Sequence, residues 1–328
     1  MAFALPGEVS FLVSIATVAL IYGLLAIGLN VHYGYTGLLN FGHVAFFAAG
    51  AYTAAILTMP PPTAVEGQVG YAIGLGLPMP VGLPVSLAAA ALAGGLLALL
   101  IGLTSVRLDT HYLAVATFAL AGIFEDVLVN EDWLTRGVHG LNQVPRAGVS
   151  VLGPEAWQVA YLAFTALLTL GVYLVVERLV GSPFGRLLKG IREDERAARM
   201  LGKDTDRVKL TSFAVGGAIA GLAGAVYAHY VGSVVTGQFV SLVTFLVWVA
   251  LLLGGAASNR GAVLGAFVLV AFREGTRFLP EIEGHPSLVP SLRFVVIGLL
   301  LVLVVRFRPA GLLGNPNEIV TAGEGEES

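Results

Sequence analysis

The sequence has no cysteine in its 328 residues, and only 12% of it is charged. The first absence excludes disulfides and thiolate-held metal. The second falls well short of the roughly one quarter typical of soluble globular chains. With 56% hydrophobic residues and a mean hydropathy of +0.84, it excludes the soluble class. Also missing are a G-x-x-x-x-G-K-[ST] phosphate loop, an H-E-x-x-H pair and a G-x-S-x-G elbow, so the usual signatures of nucleotide binding, zinc proteolysis and serine hydrolysis are not present. The six histidines, His32, His43, His111, His139, His229 and His285, are scattered without metal-ligand spacing. There is no fixed-period repeat and no polar stretch long enough for a soluble domain. What remains is an all-α, polytopic transmembrane helix bundle.

A span needs about 20 apolar residues. Val9 to Val31 meets that length, lacks preceding basic residues and reads as a retained helix rather than a signal peptide. Further candidates are Leu38 to Met59, Gly82 to Leu103, His111 to Asn130, Trp157 to Arg178, Leu210 to Val231, Val240 to Ala257, Gly261 to Leu279 and Ser291 to Phe307. Nine spans fall within an expected range of about 8–10. Pro60 to Pro84, with PPP, GLPMP and GLP, interrupts the pattern and reads either as an external loop or as a re-entrant segment. Residues 1–314 form the membrane domain, and the acidic tail 315–328 is expected to be disordered. Glycines at small-xxx-small spacing, Gly217 to Gly221 and Gly261 to Gly265, are expected to bring helices close together.

Charge is concentrated in one place. Residues 180–209 hold eight of the 18 basic residues, namely Arg186, Lys189, Arg192, Arg196, Arg199, Lys203, Arg207 and Lys209. By the positive-inside rule this loop is cytoplasmic, together with Arg107, Arg260, Arg306 and Arg308, which puts the N-terminus outside and the C-terminus inside. Within the loop, Ser182-Pro183 opens a short helix. Asp194 caps a second, Glu195 to Leu201, which Gly202 stops in a left-handed turn. Ala197, Ala198 and Leu201 are expected on its apolar face, flanked by Arg196 and Arg199, as a knob for a partner's groove.

The run Glu195-Arg196-Ala197-Ala198-Arg199-Met200-Leu201-Gly202 resembles the coupling-loop signature of ABC importer permeases, with two alanines preceding a glycine. The longer run SPFGRLLKGIREDERAARMLGKDTDRVKLTSFAVGGAIAGLAGAVYA, with Gly34 to Tyr52 and Gly254 to Gly265, is similar to LivM-type permeases of branched-chain amino acid importers, within the LivH/LivM and urea-permease group. Ser258-Asn259-Arg260 departs from the less charged turn expected there. The resemblance covers nearly the whole chain. It implies a transport subunit of the bacterial or archaeal cytoplasmic membrane, with no cofactor of its own. The implied partners are a LivH-like permease, two cytoplasmic ATPase subunits that bind ATP and magnesium, and an extracytoplasmic binding protein, with the loop docked on an ATPase. Urea or short-chain amides are alternative cargoes. An ion-coupled secondary transporter is the competing class, and nucleic acid is not an expected partner.

For the route of the cargo, the candidates are Asn40, His43 and Tyr52 near the start of an apolar span, where a locally unwound polar lining is expected. Asn40 and His43, three apart, suit one helix face. Glu125 and Glu274, beside Asp126 and Arg273, are the ionisable groups closest to membrane depth. Each of these groups either lines the route or serves helix packing, interfacial placement or ion pairing.

Overall fold

The structure, a computed structural model, describes residues 7–60, 74–105, 107–276, 288–308 and 310–314. The tail from residue 315 and residues 61–73 of the proline-rich stretch lie outside them. Nine main helices occupy the nine expected positions: α1 (Gly7–His32), α2 (His43–Thr58), α3 (Met79–Ser105), α4 (Thr110–Asn130), α7 (Pro154–Gly181), α10 (Thr205–Val231), α11 (Ser241–Gly254), α12 (Asn259–Gly275) and α13 (Leu288–Phe307). Short helices α5 (Asp132–Thr135) and α6 (Val149–Leu152) interrupt the α4–α7 connection. The charged loop forms α8 (Pro183–Glu193) and α9 (Glu195–Met200). Two-residue strands β1 (Leu141–Asn142) and β2 (Ser233–Val234) pair antiparallel, with Leu141 opposite Val234.

Among the described residues, six helical segments are long and apolar enough to cross a membrane by length and composition. By contrast, α2 has 16 residues and α12 has 17. At 1.5 Å per residue, α2 is about 24 Å long, short of the ~30 Å hydrocarbon core. Both helices are packed among others, α2 against α3 and α10, and α12 against α1 and α11. The proline-rich region is partly helical: α3 starts at Met79 with Pro84 inside it. Before it, the amides of Leu75, Gly76 and Leu77 reach the Ile56, Met59 and Leu57 carbonyls. This satisfies acceptors that the end of α2 leaves open.

The connections sort into two ends. At one, Arg107 pairs with Asp206 at 3.4 Å, Arg192 bonds Gly34 and Asn259 bonds Glu177. The α1–α2, α3–α4, α7–α10 and α11–α12 connections therefore meet there, as do residues 311–314 through the Leu312 and Leu313 amides on Leu253 and Gly254. This end is rich in arginine and lysine. At the far end, the β1–β2 pair and the Arg146 bond to the Val231 carbonyl, 2.7 Å, join the α4–α7 and α10–α11 connections. Gly7 therefore starts at the far end and residue 314 finishes at the basic end, as nine alternating passes require.

Helix α10 is the axis of the bundle, in contact with α1, α2 and α3. Its glycines permit this. A Cβ on Gly216 would meet the Gly28 carbonyl of α1 at 2.6 Å, and one on Gly221 would run into the Ala90 carbonyl and meet the Gly94 Cα of α3 at 3.0 Å. Gly50 of α2 faces the Gly221 backbone from the other side. Gly261 and Gly265 pack in the same way on Gly254 and Ala250, joining α12 to α11. Close backbone approach replaces the hydrophobic drive that lipid removes. Outward, α3, α4, α7 and α13 expose Leu92, Leu96, Val115, Leu167, Leu174 and Leu299. Gly221→Ala should overpack the α3–α10 crossing, cost about 1–3 kcal/mol and lower the melting temperature in detergent. Gly171→Ala, where an added Cβ meets nothing within 4 Å, should leave that temperature unchanged.

Candidate functional site: a charged helical loop and a buried polar joint

The loop forms as its caps dictate. Ser182 accepts the Gly185 amide and Asp194 accepts the Ala197 amide at 2.8 Å. At the end of α9, Gly202 has φ +72. Its amide bonds the Arg199 carbonyl at 2.9 Å and the Lys203 amide bonds the Ala198 carbonyl at 3.2 Å, which is the Schellman pairing that a left-handed glycine allows. Helix α8 buries Leu188 and Ile191, and Leu188 packs in a cluster with Ile27, Val31, Tyr35, Val176 and Ile219.

Helix α9 differs from expectation in which residues it presents. Ala198 is buried, while Met200 is 88% and Leu201 78% exposed. Ala197 is also exposed, so the outward apolar face is Ala197, Met200 and Leu201, the i, i+3, i+4 set. Arg196 is exposed beside it. Arg199 does not flank that face as a free cation. Its guanidinium reaches Glu195 at 2.7 Å, Asp206 at 3.0 Å and the Thr205 hydroxyl at 2.7 Å. Glu195 also takes the Lys209 ammonium at 2.8 Å, with the Lys209 side chain only 5% exposed. Burial alone would push the Glu195 carboxyl up, but Lys209, Thr205 and Arg199 outweigh it and hold it below its ordinary value. The charges Asp206, Arg199, Glu195 and Lys209 thus tie α9 to the first turns of α10, and Arg107 adds the α3–α4 connection through Asp206. Sequence reading missed Lys209 and Met200 because only the fold shows which side of α9 faces in.

The second site is the break between α1 and α2. Asn40 lies in the irregular stretch 33–42, not on a helix face with His43, because Asn40 Oδ1 takes the Gly42 amide at 2.8 Å and helix starts only at His43. The Asn40 amide donates to His32 Nδ1 at 3.0 Å, and His32 Nε2–H donates to the Phe213 carbonyl at 3.1 Å. His43 Nε2–H donates to the Leu25 carbonyl at 3.0 Å. The His32 and His43 rings lie edge to face, 5.4 Å apart. All three residues are buried. His32 stands in the sequence as one of the scattered histidines rather than a pathway candidate, because nothing in its local pattern distinguishes it from a helix-end histidine. His43 Nδ1 and Tyr52 Oη have no hydrogen-bond partner among the described residues.

The five expected pathway residues are not gathered into one site. Asn40 and His43 share the joint, whereas Tyr52 lies farther along α2, beside the Phe239 ring at 5.9 Å. Glu125 is on the outward-facing α4. Glu274 is mostly buried beside Arg273, 3.3 Å away, and Arg273 also donates to the Tyr22 hydroxyl at 3.0 Å. The turn that departs from the family pattern has a structural role: Ser258 caps α12, and buried Asn259 bridges Asn30 at 2.9 Å and Glu177 at 3.1 Å.

Glu195→Gln should leave the buried Lys209 ammonium without its counter-charge. The expected loss of thermal stability is roughly 1–2 kcal/mol, below that of a fully buried pair because Glu195 is partly solvated. Because the folded-state value is depressed, the wild-type contribution is present above the unfolded carboxylate range and is lost as pH falls through the folded value. Melting curves of wild type and Glu195→Gln should therefore converge on acidification.

A family model described as branched-chain amino acid transport system / permease component matches residues 11–305. The chain is 34% identical to the high-affinity branched-chain amino acid transport system permease protein LivM of Escherichia coli (strain K12), over 92% of this chain and 69% of that protein. It is 25% identical to the probable branched-chain amino acid transport permease protein LivM of Methanocaldococcus jannaschii, over 89% and 90% of the two chains. It is 26% identical to the LivH permease protein of Salmonella typhimurium, over 90% and 92%. No solved structure matches the chain. With nine main helices among the described residues, a capped charged loop and a match that runs from the first helix into the last, this chain belongs to the branched-chain amino acid transport permease family.

Proposed function

We propose that the chain is the membrane-spanning permease subunit of an ATP-driven importer that carries branched-chain amino acids across the bacterial or archaeal cytoplasmic membrane. It performs no chemistry of its own. In this reading it pairs with a LivH-like permease, two cytoplasmic ATPase subunits bind ATP and magnesium, and an extracytoplasmic binding protein delivers the cargo. The observation that carries the proposal is the α9 knob: Met200 and Leu201 stand almost wholly exposed at the basic end, on a helix pinned by ion pairs to the bundle axis. An exposed apolar pair on a rigid mount fits a partner's groove. Motion imposed there enters α10, which touches α1, α2 and α3.

The cargo route is proposed to follow α2. Asn40 and His43 form a buried polar joint at its start, and His43 Nδ1 and Tyr52 Oη offer unpartnered polar atoms. Glu125 and Glu274 are not drawn into that lining in this conformation.

Three outcomes test the reading. Leu201→Asp or Met200→Asp should abolish co-purification of the ATPase subunits and ATP-dependent leucine uptake in proteoliposomes, while the melting temperature stays at the wild-type value. Retained uptake in both variants rules out the knob as the docking site. Competition by leucine, isoleucine and valine but not urea or acetamide identifies the cargo class. Tyr52→Phe removes a hydroxyl with no partner among the described residues, so stability should hold or rise slightly, by up to about 1 kcal/mol. Uptake KM should nevertheless change, and an unchanged KM would take Tyr52 off the route.

A further inference from the structure

We infer that Arg192 is a positioning residue for transport, tying the cytoplasmic helix α8 to the α1–α2 break so that movement of the docking loop is delivered to the polar joint holding Asn40. The inference rests on the permease reading above and goes beyond it, because it concerns transmission rather than docking.

Arg192 sits in the last turn of α8 with its side chain only 5% exposed. Most basic residues of the loop point to water; this one points inward. Its Nη1 donates to the Gly34 carbonyl at 2.5 Å. Its Cγ lies 3.1 Å from where a Gly37 Cβ would stand, and Gly37 has φ +77. A left-handed glycine without a Cβ is what allows the arginine stem to lie across the turn. The stem fills space against Gly37 while the planar head fixes Gly34, a combination that lysine's single ammonium does not reproduce.

The turn under Arg192 is a meeting point of several segments. Gly34 is closed in by Asn30 Oδ1 and by the Ala257 amide 2.5 Å from the Cβ position. Asn30 accepts that amide at 2.9 Å and donates to Asn259 Oδ1 at 2.9 Å, and Asn259 continues to Glu177 on α7. Asn30 and Asn259 are 0% and 1% exposed. The end of α1, the α11–α12 turn and the end of α7 thus share one polar knot, buried at Asn30 and Asn259 and open to solvent at Glu177, and Arg192 is the polar side chain through which α8 grips it. From Gly34 the chain runs directly to Asn40, held on the way by the Leu38 amide on the His32 carbonyl at 2.9 Å and by the Thr36–Ser212 hydroxyl contact of 2.7 Å to α10. Packed polar contacts of this kind shift as units rather than deforming smoothly.

Arg192 does not belong to the outward knob, so docking and transmission separate in experiment. The full complex is reconstituted with its ATPase subunits and binding protein. Arg192→Gln is expected to keep ATPase co-purification and basal hydrolysis at the wild-type level. Uptake and binding-protein-stimulated hydrolysis should fall about tenfold, the scale of an ordinary coupling free energy. Arg192→Lys should recover part of the loss. Because the chain has no cysteine, Leu39→Cys supplies a single reporter in an otherwise unaltered chain, and its maleimide labelling should differ between nucleotide-free and vanadate-trapped complexes. That difference should vanish when Arg192→Gln is added. Wild-type uptake in Arg192→Gln, loss of ATPase binding in that variant, or labelling of Leu39→Cys that ignores nucleotide would each overturn the inference. A wild-type chain that retains no ATPase overturns the parent reading instead.

Discussion

Backbone amides and carbonyls removed from water must be paired, and this requirement governs the break between α1 and α2 on which the rest of the bundle is arranged. Helix α2 begins inside the protein with no side-chain cap of its own. Its needs are met from elsewhere: Thr117 of α4 takes the Phe41 amide at 3.1 Å, Thr244 of α11 takes the Val44 amide at 3.0 Å, and Trp248 donates to the Asn40 carbonyl at 3.0 Å. Three unpaired groups at a typical cost of ~1–3 kcal/mol each would be a large share of ordinary stability. The break can therefore exist only while α4 and α11 stay in place, and it fixes them as much as they fix it.

Around this joint the bundle divides its labour by packing mode. Helix α10 reaches its neighbours through glycine, where backbone meets backbone and any added carbon must displace something. The outer helices instead turn large apolar side chains outward. The charged loop attaches to this frame twice: α9 through the Glu195 ion cluster to α10, and α8 through its apolar face and Arg192 to the α1–α2 break. A frame with two attachments to one exposed loop is suited to passing movement between the loop and the bundle. It accords with a permease family whose members move cargo.

Much of this was legible in the sequence for identifiable reasons. Long apolar runs reveal helices directly, since lipid admits no other open structure, and all nine positions were met by helices. The caps Ser182, Asp194 and Gly202 act over three or four residues, so local chemistry decides them and the two loop helices followed. The failures share one cause. Asn40 was placed on a helix face with His43, and Ala198 on the exposed knob. Each error concerns which neighbour a side chain meets across the fold. Tertiary contacts withdrew Asn40 from the helix and buried Ala198, and they gave exposed Arg199 acidic partners that its local sequence does not reveal.

The sequence by itself determined fold class, the positions of the main helices and the two capped helices of the charged loop, because hydrophobic length and capping are properties of short stretches of chain. Only the tertiary structure decided that Arg192 turns inward while Arg196 turns out, that His32 joins Asn40 and His43, and that Glu125 and Glu274 stand apart from them. Those outcomes depend on pairing polar groups between segments more than two hundred residues apart, as in the Asn40–Trp248 contact. No local pattern records such pairs, since either partner alone reads as an ordinary polar or aromatic side chain.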